Sequence, residues 1–273
     1  MTIPHEWEKE QQVAAQAART AGDILRRKFG HIRHVEKKGE IDLVTEADLE
    51  AETAVLDIIQ RRFPHDAVLS EEAGANGGSP ERTWIIDPLD GTTNFAHGFP
   101  FFGVSIAFEF EGTVVLGIVY NPVMEEYFEA IRTAGAFLNR RSITVSRVQT
   151  MGEALLATGF PYDVRETHRE VMDLFTKMLV RAQGLRRPGA AAIDLCYVAA
   201  GKFDGFWEQG LKPWDTAAGD LIVEEAGGRV STFDGEPHTH DSKSIVAANP
   251  YIHDAMIAIL NSGHPGTGPG PRR

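Results

Sequence analysis

Acids stand at the ends of apolar runs in this sequence, and that arrangement restricts the fold more than any other feature. Val68-Leu69-Ser70 leads into Glu71-Glu72. Trp84-Ile85-Ile86 leads into Asp87-Pro88-Leu89-Asp90-Gly91-Thr92-Thr93-Asn94, and Lys212-Pro213-Trp214 leads into Asp215 at the start of a helical pattern. In α/β folds, ligand crevices open at strand ends. Carboxylates meeting in one crevice repel each other, so either their pKa values rise or a cation sits among them. Oxygen donors of this kind select hard cations, Mg2+, Mn2+ or Ca2+, over softer metals. Singly, each acid has a plainer explanation. Asp48 and Asp215 can cap helices, Asp87 and Asp90 can form turns around Pro88, and Glu71 and Glu72 can be solvated surface charge. The set, taken in order, argues for a site.

The surrounding pattern is α/β. Val13, Ala17, Ala21, Ile24 and Leu25 recur at helical spacing, with Gly30 as C-cap. Thr45, with Asp48 three residues on, predicts the N-cap of a second helix whose face carries Leu49, Leu56, Ile59 and Phe63 and which Pro64 ends. Residues 67–69 and 84–86 are short apolar runs. Between them 74–80 has loop composition and is expected to be mobile. Residues 102–131 alternate as an antiparallel meander, turning at Glu111-Gly112 and broken at Asn121-Pro122. Later segments read as helices over 166–182, 190–200, 216–226 and 250–262, with a strand at 203–207 and two short strands within 229–248. The Pro/Gly-rich tail, 264–273, lacks apolar anchors and reads as disordered. With no repeats and no earlier linker, 1–263 reads as one domain of two α/β lobes, about 1–150 and 151–263.

Composition narrows the function. The 273 residues carry a net charge of −12, which argues against a nucleic-acid binder, whose phosphate contacts demand clustered Lys and Arg. Small phosphorylated ligands remain compatible, since a metal ion brings them to an acidic site. A hydrophobic content of 42% is enough for a core. The lone Cys196 can form neither an internal disulfide nor a Cys-rich zinc site. No signal-peptide core occupies residues 1–30, and no run approaches the ~18 apolar residues of a membrane helix, so a soluble cytoplasmic protein is expected.

The stretch after Asp90 adds a phosphate-binding element. Gly91 lets the backbone approach a ligand, a helix starting there would aim N–H groups at an anion, and the Thr92 and Thr93 hydroxyls can bind phosphate oxygen or a metal-held water. The chain has no P-loop, and no Cys, Ser or His sits in a nucleophile motif, which favours direct attack by water.

These residues resemble the inositol monophosphatases, metal-dependent and lithium-sensitive phosphomonoesterases. The resemblance runs from about Lys37 to the final helix. It rests on Glu71-Glu72, on 84–95 (WIIDPLDGTTNF), on 212–228 (KPWDTAAGDLIVEEAGG) and on the Asp42-Leu-Val-Thr-Glu-Ala-Asp48 segment. It implies a five-layer αβαβα sandwich of the inositol monophosphatase and fructose-1,6-bisphosphatase type, a homodimer, and two to three Mg2+ ions, with Mn2+ as a substitute and Li+ as an inhibitor. Glu71, Asp87 and the Leu89 carbonyl would hold the first ion; Asp87, Asp90 and Asp215 a second; Glu71 with waters a third. Asp48 would orient metal-held water, and Thr92 with Glu71 would activate the attacking one. Asp90, Gly91, Thr92, Thr93 and Asp215 would contact the phosphate end of the substrate. Gly189, Ala191, Ala192 and Glu208 would face the alcohol, a small phosphorylated polyol. Lys37 matches a lysine near an upstream loop.

Two departures bear on the substrate: Ala190 stands where the family often has Ser or Thr, and Asn139-Arg140 replaces the usual Asn-Gly. Myo-inositol 1-phosphate is the expected substrate. Histidinol phosphate, fructose 1,6-bisphosphate and 3′-phosphoadenosine 5′-phosphate are the alternatives within the class, and a regulatory protein-binding role is the alternative outside it. Four further features read blandly: His238-Thr-His240-Asp241 and Arg186-Arg187 as surface, 99–102 as core or subunit interface, and Cys196 as a buried, inert thiol.

Overall fold

The computed structural model describes residues 5–31, 35–37 and 43–262. Asp42, the Lys37 side chain and the 264–273 tail lie outside the described residues. Helix α1 (Glu8–Lys28) buries Val13, Ala17, Ala21 and Leu25, and Gly30 follows in the left-handed region at φ +77°, as the C-terminal glycine signal predicts. Strands β1 (Val35–Lys37) and β2 (Leu43–Thr45) pair antiparallel before α2 (Glu46–Arg62). The predicted cap is a full capping box: the Thr45 side chain accepts from the Ala47 N–H, and Asp48 Oδ2 accepts from the Thr45 N–H at 2.8 Å.

Eight strands form the first sheet: β3 (Asp66–Ser70), β4 (Gly74–Asn76), β5 (Ser79–Asp90), then, after the one-turn α3 (Thr92–Ala96), β6 (Gly103–Phe110), β7 (Thr113–Asn121), β8 (Glu126–Ile131), β9 (Gly135–Leu138) and β10 (Arg141–Ser142). Their spatial order is β10-β9-β8-β7-β6-β5-β3-β4, and only β3 and β5 run parallel. The expected meander is β6–β7–β8. The 74–80 segment is not the mobile loop its composition suggests. Part of it is β4, antiparallel to β3; Asn76 Oδ1 accepts from the Val68 N–H at 2.7 Å, and a Cβ on Gly78 would lie 2.5 Å from the Asp66 backbone. The glycines here permit close approach of backbones rather than motion.

Five strands form the second sheet. Along the chain come β11 (Leu155–Thr158), α4 (Val164–Leu179), β12 (Gly184–Arg186), α5 (Ala191–Ala199), β13 (Gly205–Gln209), α6 (Pro213–Glu225), β14 (Arg229–Ser231), β15 (Ser244–Ala248) and α7 (His253–Leu260). The sheet order is β12-β11-β13-β15-β14. The strand read at 203–207 spans Gly205–Gln209 instead, and just before it the Asp204 carboxylate accepts from the Leu155 N–H at 2.6 Å.

The layers follow from the contacts. α1 and α2 pair with each other and pack on β5, β6 and β7; α5 and α6 lie between the sheets; α4 and α7 pack together outside the second sheet. This is the αβαβα sandwich the resemblance implies. Covered on both faces, β6 is buried continuously from Gly103 to Phe108 instead of alternating with solvent. Small residues make the middle layer thin. A Cβ on Gly117 of β7 would lie 2.7 Å from the Ala218 carbonyl oxygen of α6, and one on Gly219 2.6 Å from Leu195 of α5.

Candidate active site

Parallel pairing of β3 and β5 delivers their acids to one edge, with Ser70 opposite Ile86. The Glu71 N–H donates to the Ile86 carbonyl at 3.2 Å, which sets Glu71 beside Asp87. On the other side of β5, Ser105 pairs with Asp87, and its Oγ donates to the Trp214 carbonyl at 3.1 Å. That bond holds the first turn of α6, and therefore Asp215, over the same strand end. The ladder between β5 and β6 shifts register between Asp87 and Asp90, where Asp87 Oδ1 accepts from the Leu89 N–H at 2.8 Å. This local turn redirects Asp90 toward the second lobe. There its two oxygens accept from the Ala191 and Ala192 N–H groups at 3.2 and 2.8 Å, capping α5. Residues 71, 87, 90 and 215, far apart in sequence, thus gather around one strand end, where Glu71, Asp90 and Asp215 act on Asp87 and where Asp90 and Asp215 line a cavity.

Gly91 sits at φ +90°, and a Cβ there would meet the Phe101 carbonyl at 3.0 Å and the Ala190 methyl at 3.1 Å, so only glycine fits this turn. The Thr92 hydroxyl lies 3.0 Å from both Asp48 Oδ1 and the Leu89 carbonyl oxygen. With one proton to donate, it keeps lone pairs for a further partner. Asp48 therefore caps α2 and touches the site turn at once. Asp215 likewise accepts from the Lys212 N–H at 2.7 Å at the start of α6.

The cavity beside this turn is bounded by 90–93, 159–162, Arg187, 189–191, 208–211 and Asp215. Of the expected alcohol wall, Gly189, Ala191 and Glu208 line it. Ala192 does not: it is fully buried, and its N–H serves Asp90. Several further contributors lie outside the acid set. Glu52 of α2 accepts from the Ser70 hydroxyl and from the Glu72 and Ala73 N–H groups, fixing the turn that presents Glu71. Asn94 Nδ2 donates to the Phe101, Pro188 and Gly189 carbonyls at 2.7, 2.9 and 3.2 Å, tying the phosphate turn to the opposite wall. Gly159 gives Glu208 its place, since a Cβ there would lie 2.1 Å from a Glu208 carboxylate oxygen.

One bland expectation changes. His238 is packed in, its Nδ1 2.7 Å from Asp220 Oδ2, and His240 Nε2 meets Glu109 Oε2; both tie their loop to the body by acids that are remote in sequence. Arg186 and Arg187 are both exposed, as a surface pair would be, and Arg187 in addition borders the cavity. Cys196 is buried as expected, and burial pushes its thiol well up. Phe101 and Phe102 are core, while Phe99 is half exposed.

The electrostatics match a cluster of like charges. Asp87 is pushed well above the usual carboxylate range by burial first, then by Glu71, Asp90 and Asp215. Burial pushes Asp90 up to about 7 against the opposing N–H bonds. Burial also raises Asp48, opposed by its bonds to Thr45 and Thr92. Glu208 is pushed up to about 8 by burial and then by Asp215. Beneath them Asp194 is raised by burial, then by Glu208 and Asp90, and neither of its oxygens has a hydrogen-bond partner. Mutual repulsion among hard oxygen donors is what a small divalent cation relieves. Among the described residues, no three acidic or imidazole groups already close into a metal cage. Asp87, Asp90 and Asp215 each engage a backbone N–H yet retain lone pairs for a cation. The donor set fits Mg2+.

Comparisons with known proteins agree with this geometry. A model of the inositol monophosphatase family matches residues 6–264. The chain is 44% identical over 251 residues to the inositol-1-monophosphatase of Synechocystis sp., covering 91% of this chain and 88% of that one. It is 41% identical over 251 residues to the Nus factor SuhB of Escherichia coli, covering 91% and 94%. The crystal structure of the extragenic suppressor protein suhB from Bartonella henselae superimposes with a TM-score of 0.91 at 40% identity, covering 94% of this chain and all of that one. The inositol monophosphatase from Anabaena gives 0.86 at 40% identity, covering 93% and 96%. The chain belongs to the inositol monophosphatase family and is a phosphatase.

Proposed function

We propose that the protein is a Mg2+-dependent phosphomonoesterase that releases inorganic phosphate from myo-inositol 1-phosphate and related small alcohol phosphates by attack of water. The observation that carries this is the meeting of Glu71, Asp87, Asp90 and Asp215 at the strand end that opens into the Gly91-Thr92-Thr93 turn. Glu71, Asp87, the Leu89 carbonyl, Asp90 and Asp215 would hold the ions. When bound, Mg2+ supplies charge neutralisation for a dianionic ester and lowers the pKa of a nucleophilic water.

The chain's own groups have definite tasks. The Thr92 hydroxyl, donating to Asp48 Oδ1 or the Leu89 carbonyl, presents a lone pair that orients water, and Glu71 takes the proton. The backbone around Gly91 and the start of α3 receives the phosphate, since the first N–H groups of a helical turn have no partner within it. Glu208, held on Gly159, hydrogen-bonds the hydroxyls of the alcohol.

Li+ inhibition, a homodimer and a cytoplasmic setting belong to the same proposal. It is supported by family membership and by a lone buried cysteine; among the described residues no helix is long and apolar enough to cross a membrane. The test is phosphate release from inositol 1-phosphate, histidinol phosphate, fructose 1,6-bisphosphate and 3′-phosphoadenosine 5′-phosphate, with Mg2+ and with Mg2+ plus Li+. The highest kcat/KM is expected for inositol 1-phosphate. A higher value for another member would replace the substrate, and no release from any would remove the proposal.

A further inference from the structure

Arg187 stands just beyond β12, on the outer wall of the cavity. Its guanidinium carbon lies 5.3 Å from the Phe160 ring centroid, and one terminal nitrogen covers Gly189 so closely that a Cβ there would lie 2.6 Å from it. The loop is anchored across the crevice, because Asn94 of the phosphate turn donates to the Pro188 and Gly189 carbonyls. Arg187 is exposed, and its planar group stacks on Phe160 at the rim of the cavity. Its charge acts on the Glu208 and Asp194 carboxyls, and it is the one cation among the described residues that line the cavity.

We propose that Arg187 is a specificity-determining residue that binds a second anionic group, carboxylate or phosphate, carried on the alcohol half of the substrate, while the ester phosphate occupies the Gly91–Thr93 turn. The inference rests on the phosphatase proposal above. A guanidinium has no acceptor, and its fork matches the paired oxygens of a carboxylate or phosphate. Hydroxyls of the alcohol are already served by Glu208 on the facing wall.

The experiment compares wild type, Arg187→Ala and Arg187→Lys with Mg2+ on two matched pairs: fructose 1,6-bisphosphate against fructose 1-phosphate, and 3-phosphoglycerate against glycerol 3-phosphate. The readout is the ratio of kcat/KM, doubly over singly anionic, within each pair. For at least one pair the ratio is expected to fall about 10-fold or more in Arg187→Ala, through KM, with partial retention in Arg187→Lys, as for a lost charge-assisted bidentate contact. The pair that responds identifies phosphate or carboxylate as the group bound. Ratios equal in wild type and Arg187→Ala, or a fall confined to kcat, overturn the inference and leave the phosphatase proposal standing. No phosphate release by wild type from any of the four, nor from inositol 1-phosphate, removes both.

Discussion

Gly159→Ala isolates the contribution of one wall residue with a single methyl group. Gly159 follows β11, and its Cα faces the Glu208 carboxylate, so the new Cβ would lie 2.1 and 2.2 Å from the two carboxylate oxygens. Ordinary van der Waals contact requires the carboxylate to retreat by more than about 1 Å. Because Glu208 is only 8% exposed, it cannot swing freely, and the retreat moves it off the alcohol-binding wall. Misplacement on this scale costs about 100-fold in rate for a polyol phosphate. The fold should tolerate the change, since the atom that moves is the end of a side chain and Ala restricts the unfolded chain by roughly 0.4–1 kcal/mol. The assay is a double-mutant cycle on inositol 1-phosphate with Gly159→Ala, Glu208→Ala and the pair. If the methyl acts through Glu208, the double variant loses no more than Glu208→Ala alone. Additive losses, or a near-normal rate in Gly159→Ala, would refute the reasoning.

Three other outcomes are expected. Glu208 titrates near 4.5 when unfolded and holds its proton to about 8 when folded, so the folded state binds more protons in that window. Stability relative to Glu208→Gln is then greatest at low pH and declines as pH rises through 8, by an amount on the order of a few kcal/mol; parallel pH–stability curves measured by urea denaturation without metal would exclude this. Glu52→Ala should cost about 2–3 kcal/mol, because two backbone N–H groups and a hydroxyl lose their acceptor. It should also slow phosphate release by loosening Glu71, and unchanged kcat and melting temperature would contradict it. Gly117→Ala should destabilise by about 1–3 kcal/mol, since its Cβ would strike the Ala218 backbone where the sheet meets α6; an unchanged Tm would show that the middle layer yields.

What could be read in the sequence was local. Thr45 with Asp48, Pro64, Gly30 and the apolar runs before Asp87 and Asp215 each act within a few residues, and each appears where its chemistry placed it. What could not be read depends on partners far away in the chain. The 74–80 segment has loop composition, yet its glycines let β4 lie against β3. β11, β12, β9 and β10 are too short to show a period. Glu52 acquires its role only when α2 meets the end of β3, Gly159 and Arg187 only when the second sheet brings Glu208 and Phe160 beside them, and Asn94 only when the two lobes close on each other. His238 and His240 look like loop polarity until Asp220 and Glu109 come to meet them. Ala192 sits one position too deep, fully buried behind Ala191, which lines the cavity. The acid set was legible because its chemistry is concentrated in short segments; the supporting groups are spread over the whole fold.

The central claim is that the acids around Asp87 form a metal-dependent phosphate site in which Asp90 joins the two lobes. The most direct measurement is the initial rate of phosphate release from inositol 1-phosphate against Mg2+ concentration, for wild type and Asp90→Asn. Expected are no turnover in EDTA, saturable activation of wild type by Mg2+, and a loss of at least about 100-fold in kcat for Asp90→Asn, as when transition-state charge stabilisation is removed. Full activity in EDTA, or a near-normal rate in Asp90→Asn, would contradict it.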